Sequence, residues 1–457
     1  MKITNVALLA LGSSLGVGHA QTACASLRPP TIPGATILRT EAREVLNFHT
    51  GGFEAPANGC VINTWLTHGN AGDEVLVRIW LPLQGRHQWN GYLNGIGGAR
   101  FSAGECTERV AFAEATPANL ARLGYASVCT DAGVGHIQPG NTITWAHNQQ
   151  LVRNFAYLSI HEMTVIAKAI AHDYFGRPPS HSFFFGIGRG GGQGYIAAER
   201  YPEDFDGILA EGAYVDYART AMASFWPYLV QHDGGFVDRC SLNAIAEAAI
   251  RQCGGFEALT CIGFRPESLA NTMYLCPGGR RVLITSYDAS VWRRLNEGPF
   301  GNGSYGVHHA IVDSEWATAP PNRNFFTAEY ITDFLLNDPD FDYSTIDRNE
   351  YLDLWEQSIA EYTEIWGTNT NLAAFRERGG KFWAIHNRGD DVVPVSVAYD
   401  HLERLRDVFS QAELDEFYRL TIRPQPSHRG YWYWNYEPRT ELASLINWVV
   451  LGNPPSA

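Results

Sequence analysis

Three short stretches carry residues suited to nucleophilic, acid or base chemistry. The first is "FFFGIGRGGGQGYIAAERYPEDFDG", Phe183 to Gly207, where an apolar run meets a glycine cluster and then a helix-like segment. A strand, tight turn and helix of this form can present a nucleophile, with glycines on both sides of a central serine. Here the outer glycines are Gly186 and Gly190, and the central residue is Gly188. The second stretch, "HNRGDDVVP", places Asp390 and Asp391 just after an apolar run. The third, "SHRG", holds His428 and Arg429. Nucleophile, then acid, then histidine is the chain order in which an acid orients an imidazole and the imidazole moves a proton. Asp390 or Asp391 with His428 therefore reads as an acid–base pair beside a turn that lacks a hydroxyl. Glycine at 188 keeps a strained turn accessible and leaves space for a water or a substrate oxygen. The backbone N–H of Arg189 and the Gly97-Gly98 region are candidate oxyanion donors, and Arg189 and Arg429 add two cations near the mouth.

These residues need a scaffold that brings distant turns together. "EVLVRIWLP" alternates like a strand, and "YASVCTDAG" is an apolar strand ending in an acidic turn. "RNFAYLSIHEMTVIAKAIAHDYFG" reads as a helix, with Leu158, Met163, Ile166 and Ile170 near one face and Gly176 as its stop. Strand, helix, strand, turn and helix in succession predict an α/β fold with a largely parallel sheet. That rhythm breaks between 214 and 371, a stretch rich in cysteines, aromatics and loops. It returns at Lys381 with a strand, a helix around His401 to Val408, another strand, the His428 loop and a last helix, "ELASLINWVVLG". The predicted organisation is a core of 21–213 and 372–457 with an inserted lid over 214–371.

The chain has 457 residues, 45% of them hydrophobic and 18% charged, with a net charge of −14. That balance argues against nucleic acid or an anionic membrane surface as a partner, since both require a basic footprint. Residues 1–20 read as a secretory signal: a lysine, an apolar run from Val6 to Val17, and small residues before Gln21. Eight cysteines follow, in two groups of four, and an even number in a secreted chain predicts disulfides. Asn302-Gly-Ser304 is a candidate glycan acceptor.

Longer blocks make a family resemblance specific. "CASLRPP", "NGIGGARFSAG", "CTDAGVGH", "HEMTVIAKAI", "RGGGQGYIAAERYPEDFDGILAE", "HNRGDDVVP" and "SHRG" together resemble the fungal tannase and feruloyl esterase family of secreted α/β-hydrolases, from about residue 24 onward. The resemblance implies an α/β-hydrolase fold, with Asp390 as the acid and His428 as the base. Family members carry Cys-Ser at the turn and His-Cys at the histidine loop, with the serine as nucleophile and the cysteines bridged. At the matching positions stand Ile187-Gly188 and His428-Arg429. The resemblance thus makes Gly188 a vacated nucleophile position, with both half-cystines changed as well, a correlated change that looks like natural divergence. The family lid also carries an acid-rich calcium loop. The corresponding "CGGFEALTC" holds only Glu257, so no metal or other cofactor is expected.

Three functions fit these residues. The first is a non-hydrolytic isomerisation, cyclisation or dehydration of a phenolic or polyketide-like small molecule, run by His428 and Asp390. The second is a catalytically dead ligand-binding protein. The third is a residual esterase on aromatic esters that uses activated water. His136, His161 and His386 are assigned no role, and His308-His309 cannot be placed. Trp292, Trp316, Tyr431 and Trp432 are candidates for a phenolic pocket, although aromatic residues at this content are mostly core.

Overall fold

The computed structural model describes residues 22–49, 56–83, 89–104, 106, 116–135, 142–232, 235, 237–253, 263–306, 326–390, 392–425, 428 and 438–455. Nine strands form one sheet in the order β1-β2-β3-β5-β4-β6-β7-β10-β11. They are β1 (Thr36–Phe48), β2 (Ala57–Thr67), β3 (Val75–Pro82), β4 (Tyr92–Ile96), β5 (Ala126–Thr130), β6 (His181–Ile187), β7 (Gly207–Glu211), β10 (Lys381–Asn387) and β11 (Tyr418–Arg423). The first three pair antiparallel and β3 runs antiparallel to β5. From β5 to β11 every pairing is parallel. Crossover helices can then cover both faces, and the strands become apolar on both sides. Strand β6 shows this directly: Phe184 packs into the core on one face, while Phe183, Phe185 and Ile187 pack on the other.

Helix α1 (Ser159–Phe175) runs between β5 and β6, and Gly176, at φ 71°, ends it where the sequence predicts. Its buried side includes Met163, Ile166 and Ile170. Helix α2 (Arg189–Arg200) follows β6 directly. Strands β7 and β10 are sheet neighbours, yet 169 residues lie between Glu211, the last of β7, and Lys381, the first of β10. The described residues of that stretch pack into the same hydrophobic core as the sheet. The stretch holds α3 (Tyr217–His232), α4 (Arg239–Gln252), the two-stranded β8 (Thr272–Leu275) and β9 (Arg281–Ile284), and α5 (Arg348–Trp366). Helices α3 and α5 are joined through Tyr351 Oη to the Met222 carbonyl at 3.0 Å and Ser358 Oγ to the Ala218 carbonyl at 2.7 Å. A last helix, α6 (Pro438–Leu451), lays Leu442, Leu445 and Trp448 against the Phe183 face of the sheet.

The disulfides respect the two cysteine groups. Cys24 pairs with Cys60, and Cys106 with Cys129, in the first group. Cys240 pairs with Cys276 in the second, tying α4 to the end of β8. No described helix is long and apolar enough to cross a membrane.

Candidate active site

Open parallel sheets place ligands outside the carboxyl ends of their strands. Here the turns after β4, β6, β10 and β11 converge at that edge. Gly188, between β6 and α2, has φ 58° and ψ −116°. A residue with a Cβ is strained there, by about 1–3 kcal/mol, whereas glycine is not. Neighbours hold the turn in shape. The Gly188 N–H donates to the Glu211 carbonyl at 2.8 Å, and its own carbonyl accepts from Tyr214 at 3.1 Å. The flanking glycines have a packing reason: a Cβ at Gly186 would lie 2.2 Å from the Gly190 carbonyl carbon, and one at Gly190 would lie 2.4 Å from the Gly98 oxygen.

Around Gly188 the space is of another kind. Among the described residues, a Cβ built there meets only the His428 ring, with Nε2 at 3.1 Å. The imidazole therefore faces the site that a side chain at 188 would occupy. It stands a few tenths of an ångström closer than an ordinary neighbour of a Cβ. On its other side, His428 Nδ1 donates to Asp390 Oδ2 at 2.8 Å, an assignment that follows from the carboxylate acceptor. Asp390 Oδ1 accepts from the backbone N–H groups of Val392 and Val393 at 3.0 and 2.8 Å. Burial would raise the Asp390 carboxyl, but the charge and hydrogen bond of His428, with those amides, outweigh it and hold the group below its ordinary value. The carboxylate is thus ionised and fixed, and it orients the imidazole. The structure brings together two of the residues predicted from sequence. Asp391 and Arg429 lie outside the described residues.

Two expectations are corrected. Arg189 is not a cation at the mouth. Its side chain is 1% exposed and lies among the rings of Trp366, Tyr217 and Phe155, at 4.5, 4.8 and 5.0 Å. As the first residue of α2 it turns inward, and the aromatic faces accept a flat guanidinium. The amides of Gly97 and Gly98 are not open donors either. Gly97 N–H donates to the Phe185 carbonyl at 2.8 Å, and Gly98 N–H to Gln193 Oε1 at 2.9 Å. Gln193, buried in the second turn of α2, reaches back to close that loop. The backbone N–H of Arg189 keeps its predicted position, first in the helix after the turn, and gives its proton to no acceptor among the described residues.

The remaining histidines have local partners. His161 bonds Asp204 at 2.9 Å and stacks on Tyr201. His386, unassigned from sequence, stands behind the dyad: its Nε2 is 2.9 Å from the Val393 carbonyl and 3.6 Å from Asp390 Oδ2. Burial keeps it neutral by lowering its pKa. Trp292 is core, packed on Phe264 in the insertion. His136, His308, His309, Trp316, Tyr431, Trp432 and Glu257 lie outside the described residues. Asn302 is exposed, and its side chain accepts from the Ser304 amide. One cluster was not foreseen. His68 bridges Asp73 at 2.5 Å and Glu162 at 2.8 Å inside the protein. Its partners lie 5 and 94 residues away, a separation with no local signature.

The family model described as tannase and feruloyl esterase matches residues 61–260 and 285–457. A probable feruloyl esterase of Arthroderma benhamiae is 30% identical over 94% of this chain and 85% of its own. The tannin acyl hydrolase from Aspergillus niger superposes with a TM-score of 0.74 at 21% identity, over 94% of this chain and 86% of its own. Feruloyl esterase B from Aspergillus oryzae gives 0.71 at 19%, over 93% and 89%. These two structures share the fold.

Proposed function

Because the chain belongs to the tannase and feruloyl esterase family, an α/β-hydrolase family of carboxylic ester hydrolases, and yet has glycine where a nucleophile would stand, we propose that it is a non-hydrolytic enzyme acting on a phenolic or polyketide-like small molecule. The observation that carries this reading is the dyad itself: Asp390 orients His428, and His428 Nε2 lies 3.1 Å from the Cβ position of residue 188. A pair left over from an abandoned covalent mechanism has no serine to deprotonate. A substrate group entering the same space would present its proton to Nε2 instead.

In the proposed reaction, Nε2 takes a proton from a carbon next to a carbonyl, or from a phenol. The electron pair moves onto the carbonyl or phenolic oxygen, which accepts a hydrogen bond from the Arg189 N–H. Asp390 stabilises the imidazolium. Returning the proton at a different atom isomerises the molecule; alternatively the enolate carbon attacks a second carbonyl of the same molecule, its C=O π pair moves onto oxygen, and that oxygen takes the proton back from His428, which cyclises it. No co-reactant is consumed. The insertion over 214–371 would serve as the lid. The partner is a small aromatic molecule, with neither nucleic acid nor membrane involved. Residues 1–20 would direct secretion, which suits a chain holding disulfides among its described residues.

Family membership favours a second reading, in which water in that space attacks an aromatic ester with His428 as its base. Product mass separates the two. Incubation with phenolic ketones and with feruloyl or galloyl esters is expected to yield products of unchanged mass from the ketones, and only with His428 intact. Products split by water would favour the esterase. Turnover that survives His428→Ala would sink both, and tight binding without turnover would leave a ligand-binding protein.

A further inference from the structure

The Arg189 guanidinium is a buried cation without a counter-charge among the described residues. Its Nη2 donates to the Ala156 carbonyl at 3.3 Å, and its Nε and Nη1 have no hydrogen-bond partner among the described residues. Burial lowers its pKa only to about 10, so it is charged at neutral pH. Isolated charges are costly to hold inside a protein, and aromatic faces repay only part of that cost. An apolar side chain of similar length would fill the same space at lower cost, which makes a stabilising role a poor account of the arginine.

Its place suggests the use. The same residue supplies the backbone N–H that follows the glycine turn. By covalent geometry the guanidinium lies within about 10 Å of an oxygen bound at that amide, with low-dielectric protein between them. We infer that Arg189 is a specificity-determining residue that biases the Gly188 site toward an anionic oxygen, a carboxylate or phenolate on an aryl ligand. It acts through space, touching neither ligand nor reacting atoms. The inference rests on the proposed binding of an aryl molecule beside His428, and it adds the charge of that molecule. Coulomb attraction over that distance in a partly polarisable interior corresponds to about a tenfold preference for the anion.

Calorimetric binding of cinnamate and of cinnamamide at pH 7 tests this, since the two share shape and differ in charge. The wild-type chain is expected to prefer cinnamate about tenfold. Arg189→Met should bring the ratio near one while the thermal midpoint stays level or rises. Arg189→Lys, which keeps the charge, should keep most of the preference, and Arg189→Gln serves if the Met variant does not fold. A preference unchanged in Arg189→Met overturns the inference and leaves the site intact. Equal loss of both ligands with a lowered midpoint overturns it in favour of a structural arginine. Binding of neither ligand by the wild type overturns the aryl site as well.

Discussion

Two of the buried histidines hydrogen-bond to carboxylates in contrasting ways. His68 is clamped from both sides, by Asp73 at Nδ1 and by Glu162 at Nε2. Asp73 is itself saturated, accepting from Thr67 Oγ1, the His68 amide and Asn154 Nδ2. The cluster joins the β2–β3 connection to helix α1, and its three side chains are buried. His428 has one carboxylate, and its other nitrogen faces a turn whose central residue has no side chain. The difference lies in the partners. Among the described residues, His68, which follows β2, has both ring nitrogens on acids and is a clasp. His428 has one ring nitrogen on an acid and the other toward a glycine, the arrangement that the proposed proton exchange would use.

Loss of each imidazole should have the largest and most opposed effects. His428→Ala is expected to lower turnover by about 10²- to 10⁴-fold, measured by product formation, with the fold kept as judged by circular dichroism. His68→Leu should do the reverse. It strands two buried carboxylates at about 3–5 kcal/mol, read from urea unfolding, while turnover per folded molecule stays level. If His68→Leu abolished turnover at full stability, the clasp would have to be redrawn as part of the site.

Gly188→Ser should sharpen the contrast by turning the dyad into a triad. Its positive φ predicts a loss of about 1–3 kcal/mol, and the His428 ring must retreat slightly. In exchange, an aromatic ester should give a burst of acyl-enzyme that the wild type lacks. A serine variant with no burst would show that the dyad is not held for proton transfer.

The smallest effect is in pH. Burial would lower the His68 pKa, but its bonds and charges with Glu162 and Asp73 raise it instead, to about 9. The protonated form is therefore favoured in the folded state. The stability it contributes is complete below its unfolded value of about 6.5 and is lost as pH rises through about 9. Thermal midpoints should fall across that window in the wild type and stay flatter in His68→Leu.

Much of the site was legible because its parts carry local signatures. The glycine run announces close backbone contact and a turn, and the order of Gly188, Asp390 and His428 along the chain fits the parallel strands that carry them. The described disulfide pairs fall within the two cysteine groups for a similar reason: Cys60 and Cys129 lie on strands of the main sheet, and Cys240, on α4, and Cys276, just after β8, lie in the insertion. What failed to show were contacts between residues remote in sequence. Arginine is exposed by default, and nothing near Arg189 announces that Phe155, Tyr217 and Trp366 will enclose it. Gln193 gives no hint that it will take the Gly98 amide. His68 and Glu162 meet only because helix α1 packs on the sheet.

The abutting backbones at Gly186, Gly190 and Gly98 have a consequence for history. They hold the turn's shape from outside, together with the backbone bonds of Gly188, so no side chain at 188 is needed to build it. A glycine codon and a serine codon can differ by a single base. A lineage could therefore exchange the residue at this socket, and exchange it back, at the cost of one strained residue and a small shift of the His428 ring.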